Sequence, residues 1–307
     1  MSALKLFRRR QETAPAVDWR TFAAADLAAR PHLIAELRRR EFDGLTVEGV
    51  FPADACAAAC ERLQAHLDQG TPVVFGVTLG RPLLQGGMSP DTSEHRADAA
   101  RCAPIYRELF GFDPYERLGE VLAPALDGLA WSVPTEDGEP YNPGNIRYMT
   151  PGGGGLAAHA GNEFLLTNAP GSARHLLATT DAIDHMSYFV MMQPPQEGGE
   201  LSVYEKLWDD PRERGEDAAV PLLNDHEFDD LRCIRVTPAP GGCAFHRRPG
   251  IVRCVMQRRN KADRCVHRDV APRVMGCVDC PAIPSFTEEA GQARTRDHPT
   301  PHQENSR

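Results

Sequence analysis

The chain has no run of about 18 apolar residues, the length a helix needs to cross a bilayer. A membrane span is therefore not expected. Cationic excess is missing too. The 34 Lys and Arg are outnumbered by 43 Asp and Glu, which leaves a net charge of −9. That balance argues against nucleic acid or an anionic membrane as the main partner, since either selects a basic face. The nine cysteines are an odd number spread over 307 residues, not the dense set of a disulfide-stapled secreted scaffold. Reduced thiols in a cytoplasmic protein are the expectation. Met1 to Arg10 is basic, but neither an apolar segment nor a small-residue cleavage site follows, so no secretory signal is expected. The glycine run at 152–155 is not followed by Gly-Lys-Ser/Thr, which excludes a phosphate loop. There is no internal repeat.

What is present is ordinary globular material, 41% apolar and 25% charged, long enough for one large domain or two smaller ones. Residues 1–16 read as a flexible arm. Residues 17–140 read as a helix-rich support. Asp18 to Arg40 carries Phe22, Leu27, Leu33, Ile34 and Leu37 at helical spacing, broken at Arg30-Pro31. Phe42 to Phe51 alternates and predicts one strand or two short ones. Pro52-Ala-Asp54 opens a helix to Leu67, with Cys56 and Cys60 on its apolar face as core thiols. Thr71 to Leu84 predicts a strand and loop, and Arg101 to Leu129 is helical again.

From Asn145 the pattern turns to short strands: 145–149, 164–166, 185–192, 199–204 and 231–237. Short strands after a helical first half predict a β-sandwich or jelly roll buttressed by helices, with its core at 141–285. After Pro240 arginine and cysteine become frequent, and no strand longer than about four residues is expected there. A displaced reading frame would produce the same change. Residues 286–307 have the composition of a disordered tail.

The chemistry concentrates in Tyr148-Met-Thr-Pro-Gly-Gly-Gly-Gly-Leu-Ala-Ala-His159-Ala-Gly161-Asn-Glu163. On an extended strand residues i and i+2 share a face, so positions 159 and 161 address one pocket. A facial-triad metal site places a histidine and a carboxylate there, whereas this chain has His159 and then a glycine.

Tyr148-x-x-Pro-Gly, His159-x-Gly161 and Gly198-Gly199-Glu200-Leu201, in that order, resemble the iron(II)/2-oxoglutarate oxygenase superfamily and its prolyl-hydroxylase-like members. The resemblance covers residues 40–240. It implies a double-stranded β-helix, a jelly-roll variant, and it implies iron, 2-oxoglutarate and O2. His159 matches the first metal ligand. Gly161 stands where the carboxylate ligand would be, which is the mark of the superfamily's halogenases, including those acting on free amino acids. Removing the carboxylate removes one anionic ligand and its volume, so chloride can take its place with the charge count kept. Tyr148 matches the tyrosine that binds the distal carboxylate of 2-oxoglutarate.

The second metal histidine is open between His246 and His267. Arg258 or Arg264 would then hold the 2-oxoglutarate carboxylate bidentately. Glu163 is a candidate partner for a substrate amino group, and otherwise a solvated loop carboxylate. Cys277-x-x-Cys280 lacks a second Cys-x-x-Cys, so a zinc ribbon is not expected. The leading expectation is a halogenase acting on a small aliphatic substrate. A hydroxylase with the same cofactors is the first alternative. A catalytically inactive jelly-roll protein with a degraded metal site is the second.

Overall fold

The computed structural model describes residues 17–73, 76–81, 91–150, 159–160, 186–194, 198–207, 232–247 and 250–256. Among the described residues four α-helices form: α1 (Leu33–Arg38), α2 (Ala53–Leu63), α3 (Ser93–Phe110) and α4 (Pro114–Leu122). In α2 the side chains of Cys56, Ala59 and Leu63 recur at helical spacing and are buried. Pro114 sits in the first turn of α4, and the Asp113 carboxylate accepts the backbone N–H groups of Tyr115 and Glu116 at 3.0 and 3.2 Å. Both features start a helix.

Strands are interleaved with these helices from the start. They are β1 (Trp19–Ala23), β2 (Gly44–Glu48), β3 (Thr71–Val73), β4 (Gly76–Leu79), β5 (Thr135–Glu136), β6 (Glu139–Pro140) and β7 (Ile146–Met149). After them come β8 (His159–Ala160), β9 (Met186–Val190), β10 (Gly198–Leu207), β11 (Cys233–Val236), β12 (Cys243–Arg247) and β13 (Gly250–Met256). One four-stranded sheet has the order β1-β2-β12-β9, and a second has the order β11-β10-β13-β8. The strands β3-β4-β7 form a third sheet, and β5-β6 a two-stranded hairpin. Among the described residues each sheet is open, and no closed barrel is formed. No helix among them is long and apolar enough to cross a membrane.

Alternation divides the first sheet between two cores. Leu45, Val47, Tyr188, Val190, Cys243 and Phe245 join the helices in one large cluster. Phe189 and Ala244, on the opposite face, join Leu201, Val203 and Val236 of the second sheet, with Met149 and Met191. The first sheet is thus buried on both faces, with helices on one side and the second sheet on the other. Each fully buried Leu or Phe contributes about 2 kcal/mol.

Two sequence expectations are corrected. Asp18 to Arg40 is not helical throughout, because Trp19–Ala23 is a strand paired in parallel with Gly44–Glu48. Helical spacing of Leu33, Ile34 and Leu37 is local, whereas the pairing that extends Trp19 comes from 25 residues away, Trp19 lying opposite Gly44. The chain after Pro240 also forms longer strands than expected, namely β12 and β13. Each lies between two partners already in place: β12 between β2 and β9, and β13 between β10 and β8. The expected strand at 164–166 lies outside the described residues.

Candidate functional site

The turn before β12 sets the site. Gly241 has φ 80°, a left-handed conformation suited to glycine. Its carbonyl accepts Phe51 N–H at 3.0 Å, and its own N–H donates to the Met191 carbonyl at 2.7 Å. The Gly242 carbonyl accepts Met191 N–H at 3.0 Å. These bonds fix the register in which β12 enters the sheet.

With that register Cys243 and Phe245 face the helices. Ala244 faces the second sheet, and by alternation so does His246. His246 is 4% exposed. It lies opposite Gly44 of β2 and Ser187 of β9, and Trp19 of β1 lies beyond Gly44. One row of the first sheet therefore reads Trp19, Gly44, His246, Ser187. A Cβ on Gly44 would meet Trp19 Cζ3. The indole therefore lies over the glycine, beside the histidine position. Its Nε1–H donates to Thr46 Oγ1 at 2.9 Å. Ser187 Oγ is buried and finds no hydrogen-bond partner among the described residues. An orphan hydroxyl of this kind costs about 1–3 kcal/mol unless a ligand or water meets it.

The second sheet contributes a matching row. His159 of β8 pairs with Val252 of β13, Val252 with Val203 of β10, and Val203 with Ile234 of β11. Val203 belongs to the cluster between the sheets, and Trp19 and Ile234 both pack against that cluster. Trp19 of one row and Val203 and Ile234 of the other thus meet in one apolar cluster, and strand pairing puts a histidine position in each row. No histidine occurs on β13, the strand next to His159. Arg253 alternates with Val252 and pairs with Ser202.

Tyr148 sits elsewhere. With Ile146 it packs in the helix-side cluster, while Met149 belongs to the cluster between the sheets. Its hydroxyl is buried and has no hydrogen-bond partner among the described residues. Burial pushes the phenol pKa above its ordinary value. Arg147 shares the face of Met149 by alternation, and its Nε–H donates to Asn145 Oδ1 at 3.1 Å. Gly161, Glu163, Arg258, Arg264 and His267 lie outside the described residues. Among the described residues no group of three or more His, Cys, Asp or Glu converges as a metal-holding cluster.

Sequence reasoning passed over Trp19, Gly44 and Ser187. Ser187 carried a readable signal, being the one small polar side chain in the apolar run Met186-Ser-Tyr-Phe-Val-Met-Met192. Trp19 and Gly44 carried none, since their closeness depends on a parallel pairing.

Comparison with known proteins decides the family. The profile of a family described as carrier-protein-independent halogenase WelO5 matches residues 16–264. The chain belongs to this family. It is thereby a member of the iron(II)/2-oxoglutarate oxygenase superfamily, with resemblance to its halogenases. Membership of the WelO5 family implies Fe(II) and 2-oxoglutarate as cofactors. No curated protein matches the chain. Among solved structures, a putative oxidoreductase from Salmonella typhimurium LT2 is 15% identical, covering 93% of this chain and 78% of its own, with a TM-score of 0.40. An N-substituted L-amino acid dioxygenase from Burkholderia ambifaria AMMD, in complex with alpha-KG, is 14% identical over 75% of this chain and 82% of its own, with a TM-score of 0.39. The GlcNAc-inducible gene 2 protein of Candida albicans is 12% identical over 92% of this chain and 70% of its own, with a TM-score of 0.41.

Proposed function

We propose that this WelO5-family protein is an iron(II)- and 2-oxoglutarate-dependent halogenase, acting on an unactivated C–H of a small aliphatic substrate such as a free amino acid. The observation that carries the reading is the glycine at 161, in a chain that matches a halogenase family over residues 16–264. The first and second sheets are read as the two halves of a double-stranded β-helix. Strand order supports this, since β8, β9, β10, β12 and β13 pass back and forth between them.

The donors present fit an iron held by two imidazoles. His246 is buried on the face turned to the second sheet, and His159 holds a position in the facing row. His267 is the alternative second ligand. A third protein donor is not required at Gly161, because a chloride there keeps the charge count of the absent carboxylate. When bound, iron and 2-oxoglutarate supply the oxidising power to remove hydrogen and deliver the halide.

The remaining roles belong to the chain. Met149, Phe189, Met191, Leu201 and Val203 form a buried apolar cluster between the sheets, next to which the reacting carbon would be held away from water. Arg258 or Arg264 would grip a carboxylate of 2-oxoglutarate bidentately, whereas Tyr148, packed in the helix-side cluster away from the two rows, would take no part at that carboxylate. Glu163 would hold a substrate amino group.

Product mass spectrometry on iron-loaded protein with 2-oxoglutarate and chloride tests the reading. A chlorine isotope pattern is expected for the wild type, and its loss in Gly161→Asp. Oxygen insertion alone in the wild type, or chlorination retained in Gly161→Asp, would overturn it. Iron uptake by His246→Ala and His267→Ala separates the two ligand candidates.

A further inference from the structure

A cavity of about 310 Å³ lies on the helix side, bounded by α3, α4 and the connector at 131–143. Aromatic rings dominate its walls: Tyr106, Tyr115, Trp131 and Tyr141. Tyr106 and Tyr115 meet edge to face at 5.9 Å. Two of the phenol hydroxyls are engaged elsewhere. Tyr106 donates to the Leu79 and Gly144 carbonyls, both at 3.2 Å, and Tyr141 donates to Glu136 at 2.6 Å.

The wall made by Trp131 depends on a glycine. A Cβ on Gly119, in the middle of α4, would meet Trp131 Cδ1. An interior glycine weakens a helix relative to alanine. Here it lets the indole lie directly against the helix. Trp131 also packs on Tyr188 of β9 with ring centroids 6.0 Å apart, and Tyr188 donates to the Pro143 carbonyl at 3.1 Å. Two wall residues, Trp131 and Pro143, therefore rest on the outer face of the strand whose inner face carries Ser187.

The charges at the mouth do not cancel. Arg107 is taken by Asp113, with N–O distances of 3.0 Å. Glu116 is exposed and makes no ion pair among the described residues. Ring faces and a spare carboxylate together select a cation attached to an apolar ring.

We propose that this cavity binds a small aromatic amine, ring inward against the tyrosines and Trp131, ammonium outward at Glu116. The site stands independently of the halogenase reading, because binding is measured on metal-free protein. The probe is 2-phenylethylamine, titrated by calorimetry and by Trp fluorescence, with 3-phenylpropionate as the charge-reversed control. Saturable binding of the amine in the submillimolar to millimolar range is expected, and weaker binding of the acid. Ala103→Trp fills the cavity from α3 and should weaken the amine at least about tenfold. Glu116→Gln, an exposed change that leaves the fold alone, should weaken it roughly two- to fivefold, as befits a solvent-exposed pair. The proposal fails if no saturation is reached by about 10 mM. It also fails if Ala103→Trp binds the amine as tightly as the wild type, or if the acid binds as well as the amine.

Discussion

Adding one methyl group at Gly44 should unseat the tryptophan beside the histidine row. The Cβ of Gly44→Ala would fall within 2.5 Å of Trp19 Cε3, closer than packed carbon atoms approach. The strand backbone cannot yield, because Gly44 is held between Trp19 on one side and His246 on the other. The indole must move instead. Overpacking of this kind costs about 1–3 kcal/mol. The displaced indole also gives up its 2.9 Å bond to Thr46, which contributes about 1 kcal/mol. The expected loss is about 2–4 kcal/mol, or roughly 5–10 °C in Tm for a chain of this size. Urea unfolding followed by circular dichroism measures it. The decisive comparison is a double-mutant cycle. In a Trp19→Ala background the clash has no partner, so Gly44→Ala should then be neutral or slightly stabilising, as alanine is in place of a strand glycine. A loss under about 1 kcal/mol in the wild-type background would refute the packing argument. So would an equal loss in both backgrounds.

Two further outcomes are expected. His95 is buried, its Nε2 accepts Asn142 N–H at 3.1 Å, and burial above all lowers its pKa from 6.5 to about 4. The unfolded chain therefore binds the proton first as pH falls. The stability held by neutral His95 is complete above about pH 6.5 and is lost progressively towards pH 4, by up to about 3 kcal/mol. Tm measured from pH 7 to pH 4 should fall less steeply in His95→Gln; an unchanged slope would contradict the assignment. Burial pushes the Cys56 and Cys102 thiols up to about 11 and that of Cys60 up to about 12. Iodoacetamide at pH 8 followed by peptide mapping should label exposed Cys233 in the folded protein, and these three only after unfolding.

What was legible in the sequence was local. The amphipathic helix at Ala53–Leu63 was readable from its own spacing, and Cys56 proved buried at 0% exposure. The strands at 146–149, 186–190 and 233–236 were readable as short apolar runs bounded by turn residues. The misses share one physical cause. Trp19–Ala23 extends because it pairs with Gly44–Glu48, and nothing in residues 18–30 encodes that partner. Likewise β12 contains only five residues, yet both of its neighbours are strands brought from residues 44–48 and 186–190. Non-local pairing overrides local pattern in both places. The rows that border the space between the sheets come entirely from such pairing, so Ser187 and Gly44 could not be placed beside His246 by spacing alone.

Which side chain of β12 faces the second sheet turns on parity. In β12 a histidine and a phenylalanine are neighbours, and a slip of one residue would exchange them between the helix side and the inter-sheet side. Phe245 packs at 5.9 Å from Tyr188 in the helix-side core, so its seat is apolar and filled. The opposite seat is flanked by Gly44, which has no side chain, and by Ser187, whose hydroxyl lacks a partner among the described residues. That pocket suits a polar ring and would waste a phenylalanine. The hydrogen bonds from Gly241 and Gly242 to Phe51 and Met191 hold β12 in the register that satisfies both seats. Packing on one face therefore presents the imidazole on the other, toward the second sheet.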